Sequence, residues 1–133
     1  MNRIDFLKRI FLSGASVLVA KYAGAKLTTQ TSEVYLNSPY IAGFQYYNGA
    51  EIESFLKVGD NLSLQRDAKN QHDYFAVEVH YKNRKLGFLP RTDNKIIARM
   101  MDQGEKLNAK IRSIDPDAHP FSRVQVRVYL EKE

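Results

Sequence analysis

The 133-residue chain has no cysteine and no tryptophan, and only 4 prolines and 7 glycines. Without cysteine there is no disulfide scaffold, no zinc ribbon or finger and no thiol nucleophile. The few glycines form no phosphate-binding loop and no nucleophile elbow. His72, His80 and His119 are scattered and never pair with an acid at ligand spacing, so neither a metal nor another cofactor is expected. The acids are equally dispersed, and Asp115-Pro116-Asp117 reads as a turn. No enzyme motif is present, and the length supports one compact domain rather than two.

Long apolar runs are missing too. Ile10–Ala20 is uncharged, but a membrane-spanning helix needs about 20 apolar residues. A basic stretch, MNRIDFLKR, precedes this run, and Ala23-Gly24-Ala25 follows it. That is the layout of a secretory signal with an A-x-A cleavage site, and Arg3–Lys8 is similar to a twin-arginine signal with Ile4 in place of the second Arg. The alternative is an N-terminal helix that packs on the domain or lies on a membrane surface. The protein is thus expected to be exported or membrane-associated if residues 1–25 act as a signal, and cytoplasmic otherwise. Membrane contact is expected through residues 1–25 alone. Residues 26–37, polar and rich in Thr and Ser, read as a linker to a domain over 38–133.

Net charge is +5 but uneven. Arg3, Lys8, Arg9 and Lys21 face one acid, Asp5, within residues 1–25, leaving sixteen basic and fourteen acidic residues for the rest. Net charge is therefore a weak argument for nucleic acid, and the argument has to come from where the charges sit.

From Tyr40 onward the pattern has period two. Leu62 and Leu64, then Phe75, Val77 and Val79, then Leu107, Ala109 and Ile111, then Val124, Val126, Val128 and Leu130 alternate with polar neighbours. Tyr81–Arg84 is a polar turn leading into a strand over Lys85–Leu89. Thr92–Gln103 breaks the rhythm, with Ile96, Ile97, Met100 and Met101 on one helical face, Thr92 as N-cap and Gly104 as the stop. The expected fold is mainly β (α+β): a small six-stranded OB-like or SH3-like barrel with one helix after the fourth strand.

Two surfaces are candidates for binding. Lys106, Lys110 and Arg112 alternate against Leu107, Ala109 and Ile111, and Arg123 and Arg127 against Val124, Val126 and Val128. A hairpin around Asp115–Phe121 would merge them into one basic face able to track a phosphate backbone, or simply into a solvated outer sheet. Tyr46-Tyr47, read as the end of the first strand, can stack on bases, although adjacent strand residues point opposite ways and one ring can be core. Asn70-Gln71-His72-Asp73 offers polar side chains on a loop, where Asn70 and Asp73 also suit turn chemistry.

These blocks have a resemblance. Phe44–Gly49 (FQYYNG), Leu64–Asp67 (LQRD), Asn70–Val79 (NQHDYFAVEV) and Leu86–Arg91 (LGFLPR) resemble, in order, the HIRAN domain pattern G-x-R-Y-Y-x-G, L-x-R-E/D-P-x-N-P-Y-D-x-N-A-I/V-x-V and V/L-G-H/Y-I/V-P-R. The resemblance covers about residues 40–130. It implies an OB-like fold of the kind that accompanies Swi/Snf-type ATPases and captures the 3′-hydroxyl end of single-stranded DNA. By position it implies that Tyr46 stacks on a terminal base and Asp73 accepts from the 3′-hydroxyl. Asn70 would then shape the pocket, while Phe88 and Arg91 line it, Arg91 as a phosphate contact. Gln45 stands where the pattern has Arg, which removes a planar cationic fork; His72 replaces Tyr and Gln71 replaces Pro. The resulting expectation is a single-stranded-DNA or DNA-3′-end binding monomer without catalysis of its own. The rival is an exported structural or protein-interaction domain that keeps the fold and lacks DNA-end capture.

Overall fold

The computed structural model describes residues 32–132, so the signal-like segment 1–25 and the first part of the linker lie outside the described residues. Eight elements of regular structure follow one another: β1 (Ser32–Asn37), a short helix α1 (Gly49–Ile52), β2 (Asn61–Arg66), β3 (Val77–Tyr81), β4 (Arg84–Phe88), helix α2 (Lys95–Asp102), β5 (Leu107–Ile114) and β6 (Val124–Lys132). The strands form one antiparallel sheet in the order β1-β6-β5-β2-β3-β4. The helix after the fourth strand is where the sequence puts it.

The alternating residues supply the interior. Leu62, Val77, Val79, Leu86, Ala109, Ile111, Val124, Val126 and Val128 are buried together, with Ile97 and Ala98 of α2 packed on them. The segment following β1 closes the sheet. Ile41 N–H donates to the Val124 carbonyl (2.9 Å), while Ala42 and Phe88 exchange backbone hydrogen bonds of 2.8 and 2.9 Å. This strap therefore spans from β6 to β4 and turns the sheet into a small OB-like barrel. The closure needs Gly87, whose φ is +152° and whose added Cβ would stand 2.3 Å from the Ala42 carbonyl oxygen. No other residue fits that backbone and that approach.

Three expectations are corrected. The linker reading fails over Ser32–Asn37, which is a strand paired with β6, Val34 opposite Leu130 and Tyr35 opposite Tyr129. Its polar composition hid it, because nothing local reveals that the nine-residue β6 has a free edge to be paired. The strand expected over Tyr40–Tyr47 does not form: Tyr40 and Ala42 make isolated bridges to Gln125 and Phe88, and Phe44–Tyr46 is a 3₁₀ turn opened by Gly43 in the left-handed region (φ 72°) and followed by α1. Finally, α2 starts after Asn94 rather than Thr92, and Ile96 faces solvent while Ala98 faces the core. Gly104, left-handed at φ +89°, follows the helix as expected.

Candidate nucleic-acid interface

The 3₁₀ turn decides which aromatic ring reaches solvent. In a strand Phe44 and Tyr46 would share a face; at three residues per turn they diverge. Phe44 is fully buried and Tyr46 is 77% exposed. Tyr46 and Tyr47 then form one wall of a cleft of about 290 Å³, completed by Asn70, His72, Asp73, Phe88 and Arg91, with Ala42, Gly43, Ala76 and Leu89 beneath. Seven of the eight residues that the sequence singles out for this site meet there. Gln45 does not line the cleft: the same turn rotates it aside, and its Oε1 is buried without a hydrogen-bond partner.

The loop opposite is held by its own side chains. Asn70 Oδ1 accepts from the backbone N–H of His72 (2.9 Å) and Asp73 (3.0 Å), and its amide donates to Asp67 Oδ2 (3.0 Å). Asn70 therefore does the turn work that its residue type allows. Asp73 Oδ1 accepts from Phe75 N–H (3.0 Å), and Oδ2 accepts from the Asn94 amide (2.7 Å). Each carboxylate oxygen keeps a second lone pair, and the side chain is 18% exposed toward the cleft it lines. Arg91 reaches across the mouth, donating to the His72 carbonyl with Nε 4.0 Å from Asp73 Oδ2.

Sequence reasoning passes over three residues that build this site. Asn94 is 1% exposed and clamps the Asp73 carboxylate. Arg66 donates to the carbonyls of Ala76 (2.7 Å) and Tyr74 (3.2 Å) while gripping Asp102 through two hydrogen bonds, of 2.9 and 3.2 Å. It thereby ties the loop to α2. Its hydrogen bonds hold the Asp102 carboxyl below the ordinary carboxylate range; desolvation opposes the shift, and the Arg66 charge adds a lesser pull downward. Lys85 places its ammonium 4.3 Å from the Tyr47 ring and 4.1 Å from the Phe88 ring, and the two rings meet edge to face at 5.7 Å. Residues three apart on a strand normally face opposite ways. Here the register jumps from Val79–Gly87 to His80–Lys85, and that bulge puts Lys85 and Phe88 on one side. The signal available in the sequence was Gly87 within a strand, which marks a bulge or a close approach.

The expected basic face is only partly assembled. The β5–β6 hairpin forms as anticipated, with Lys110 opposite Arg127. Lys110, Arg112 and Arg127 surround a hollow of about 320 Å³ together with Tyr129. Lys110, however, is paired with Glu33 of β1 at 3.0 Å, and Arg127 lies 6.0 Å from the Tyr35 ring. Arg123 departs from the face: its guanidinium donates to the Ala118 carbonyl (3.1 Å) and pairs with Glu53 (3.6 Å). Lys106 is exposed just before β5, where its carbonyl accepts from Glu131 N–H (2.9 Å). Among the described residues no group of three or more His, Asp or Glu is placed to hold a metal ion, and no helix is long and apolar enough to cross a membrane.

Comparison with known proteins bears on the fold and the family. The HIRAN domain family matches over residues 37–133. A crystal structure of a protein from Lactobacillus plantarum is similar with a TM-score of 0.69 and 26% identity, covering 77% of this chain and 99% of that one. The HIRAN domain of human HLTF is similar in fold, with a TM-score of 0.59 at 19% identity over 76% of this chain and 80% of that one. No curated protein matches the sequence. With the family matched across nearly the whole described barrel, the chain belongs to the HIRAN domain family, a family of nucleic-acid-binding modules.

Proposed function

We propose that this domain binds single-stranded DNA by receiving a 3′ end in the Tyr46–Asp73 cleft, with no chemistry of its own. The observation that carries the reading is the convergence of an exposed aromatic ring, a carboxylate and an exposed cation on one cleft of about 290 Å³. That volume is at the small end of ligand pockets and suits a nucleotide-sized group rather than a duplex. Tyr46 offers its face to a base, a contact indifferent to sequence. Asp73 can only accept hydrogen bonds as a carboxylate, so it welcomes a terminal hydroxyl and repels a terminal phosphate. Arg91, 68% exposed at the mouth, supplies a forked donor to the last internucleotide phosphate. Lys85, paired with Glu78 at 3.6 Å, holds its ammonium against the Tyr47 and Phe88 rings.

A second reading is favoured by one observation: both Asp73 oxygens already hold internal partners, Phe75 N–H and the Asn94 amide. On that reading the chain is an exported structural or protein-interaction domain, in keeping with the signal-like residues 1–25, and Asp73 merely braces its loop. Fluorescence anisotropy with oligonucleotides ending in 3′-hydroxyl or 3′-phosphate separates the two. End capture predicts tighter binding of the hydroxyl end and loss of that preference in Asp73→Asn. Equal binding of both ends by the wild type rules out end capture.

A further inference from the structure

A second groove lies outside the cleft, and neither the family pattern nor the cleft accounts for it. It runs between the 3₁₀ turn Glu53–Phe55 and the tip of the β3–β4 hairpin and encloses about 480 Å³. Phe55, Lys57, Tyr81, Lys82 and Arg84 line it. Phe55 is 68% exposed at the edge of the groove. Lys82 and Asn83 take the two left-handed positions of a tight hairpin turn (φ 46° and 69°), and the Lys82 ammonium stands 5.2 Å from the Tyr81 ring. Two acids lie close by. Glu51 comes within 4.0 Å of Arg84, and the Asp60 carboxylate accepts from the Lys57 backbone N–H. Among the described residues the ammonium groups of Lys57 and Lys82 have no ion-pair partner.

One strand connects this groove to the cleft. β4 carries Phe88 in the cleft and Arg84 in the groove, four residues or about 13 Å apart along the strand, with the bulge between them turning the two side chains to opposite sides. Lys85, next to Arg84 but on the cleft side of the strand, holds its ammonium on the cleft's rings and 3.6 Å from Glu78. OB-type sites track about 4–16 nucleotides, far more than the cleft can enclose. We propose that the groove is the second part of the nucleic-acid site: a single strand whose end occupies the cleft passes β4 and enters the groove, its phosphates against Lys57, Lys82 and Arg84 and one base stacked on Phe55. The inference rests on the reading of the cleft given above. A single strand is favoured over an acidic peptide because it supplies both the negative charge and a planar ring for Phe55.

The test is a length series of single-stranded oligonucleotides with 3′-hydroxyl ends, bound by the full chain and its variants. In Phe55→Ala and in the triple variant Lys57→Gln, Lys82→Gln, Arg84→Gln, affinity for an oligomer of about twelve nucleotides falls roughly 5- to 100-fold. Affinity for one of about three nucleotides stays within twofold. The salt dependence of the long oligomer flattens in the triple variant by about 0.7 per lost contact. Tyr46→Ala, by contrast, weakens both lengths. All four groove substitutions are at surface-reaching side chains, and unchanged thermal midpoints verify the fold. If the groove variants bind the long oligomer like wild type while Tyr46→Ala does not, the groove assignment is wrong and the cleft reading stands. If the wild type binds neither length, both fall. If poly-glutamate displaces the long oligomer as well as unlabelled oligomer does, and Phe55→Ala changes nothing, the occupant is an acidic peptide and the nucleic-acid assignment is overturned.

Discussion

The cleft and the outward face of β5–β6 differ in what their side chains have left to offer a ligand. On the β5–β6 face, charge is present but partly spent internally: Lys110 holds Glu33 and Arg127 lies against Tyr35, while Arg123 leaves the face for Glu53. In the cleft Lys85 and Arg91 also have acid partners, Glu78 at 3.6 Å and Asp73 at 4.0 Å, but Arg91 stays 68% exposed and the remaining internal bonds orient the loop. Asn70 and Asn94 fix the loop and the carboxylate, while the Tyr46 ring takes part in no ring–ring contact among the described residues. A count of outward cations therefore overstates a binding surface. Preorganised groups with unused valence are the better marker of a site.

The sharpest way to break the comparison is to open the strap under the cleft. Gly87→Ala forces a Cβ against the Ala42 carbonyl at a φ unsuited to alanine. A loss of about 3 kcal/mol is expected, read as a lower denaturation midpoint, together with weaker oligonucleotide binding. The β5–β6 hairpin, held by its own ladder, should keep its amide-exchange protection longer than β4 does. Equal loss in both regions would mean that they are not separable.

Next in size is Arg66→Met, which releases the Tyr74 and Ala76 carbonyls and the grip on α2. The carbonyl bonds alone are worth roughly 2 kcal/mol, so a clear drop in stability is expected, with the 70–76 loop exchanging fastest. The pair also carries a pH signature. Because Asp102 titrates lower when folded, its contribution is present above the unfolded value and disappears as pH falls below about 4. Wild type should lose stability there, and Arg66→Met should show less of that acid sensitivity. Urea denaturation at stepped pH measures both.

Tyr46→Ala sharpens the comparison from the ligand side. An exposed ring contributes little to folding, so the thermal midpoint should hold while single-strand affinity falls by about 1–3 kcal/mol. A large stability loss with unchanged binding would return Tyr46 to a structural role. The smallest effect is expected from Arg112→Gln with Arg127→Gln. Affinity should fall less than in Tyr46→Ala, with a slightly shallower salt dependence. A loss matching Tyr46→Ala would reverse the ranking of the two surfaces.

Much of the barrel was legible in the amino-acid order. Val77 and Val79, Ala109 and Ile111, and Val124, Val126 and Val128 all face the core as their alternation says, since period two survives wherever a strand is paired on one buried face. The hairpin turn before Arg84, the helix after β4 and its stop at Gly104 were equally readable. So was the membership of the cleft, because four spaced motif blocks carried it. What stayed hidden is non-local: β1 is polar and becomes a strand only through its partner β6, and Asn94 and Arg66 act through residues 21 and 36 positions away.

By itself, then, the sequence determined the alternating core and the single amphipathic helix, which depend on neighbours within a few positions, and its spaced motif blocks carried the residue types of the cleft. Tertiary structure alone decided that Tyr46 stands out while Phe44 goes in, that Gln45 turns away, and that Lys85 shares a side with Phe88. It also decided that Lys110 and Arg123 meet Glu33 and Glu53 rather than solvent. The reason is physical: direction and charge compensation depend on turns, bulges and cross-strand partners, and these are set by which distant segments pair when the core closes.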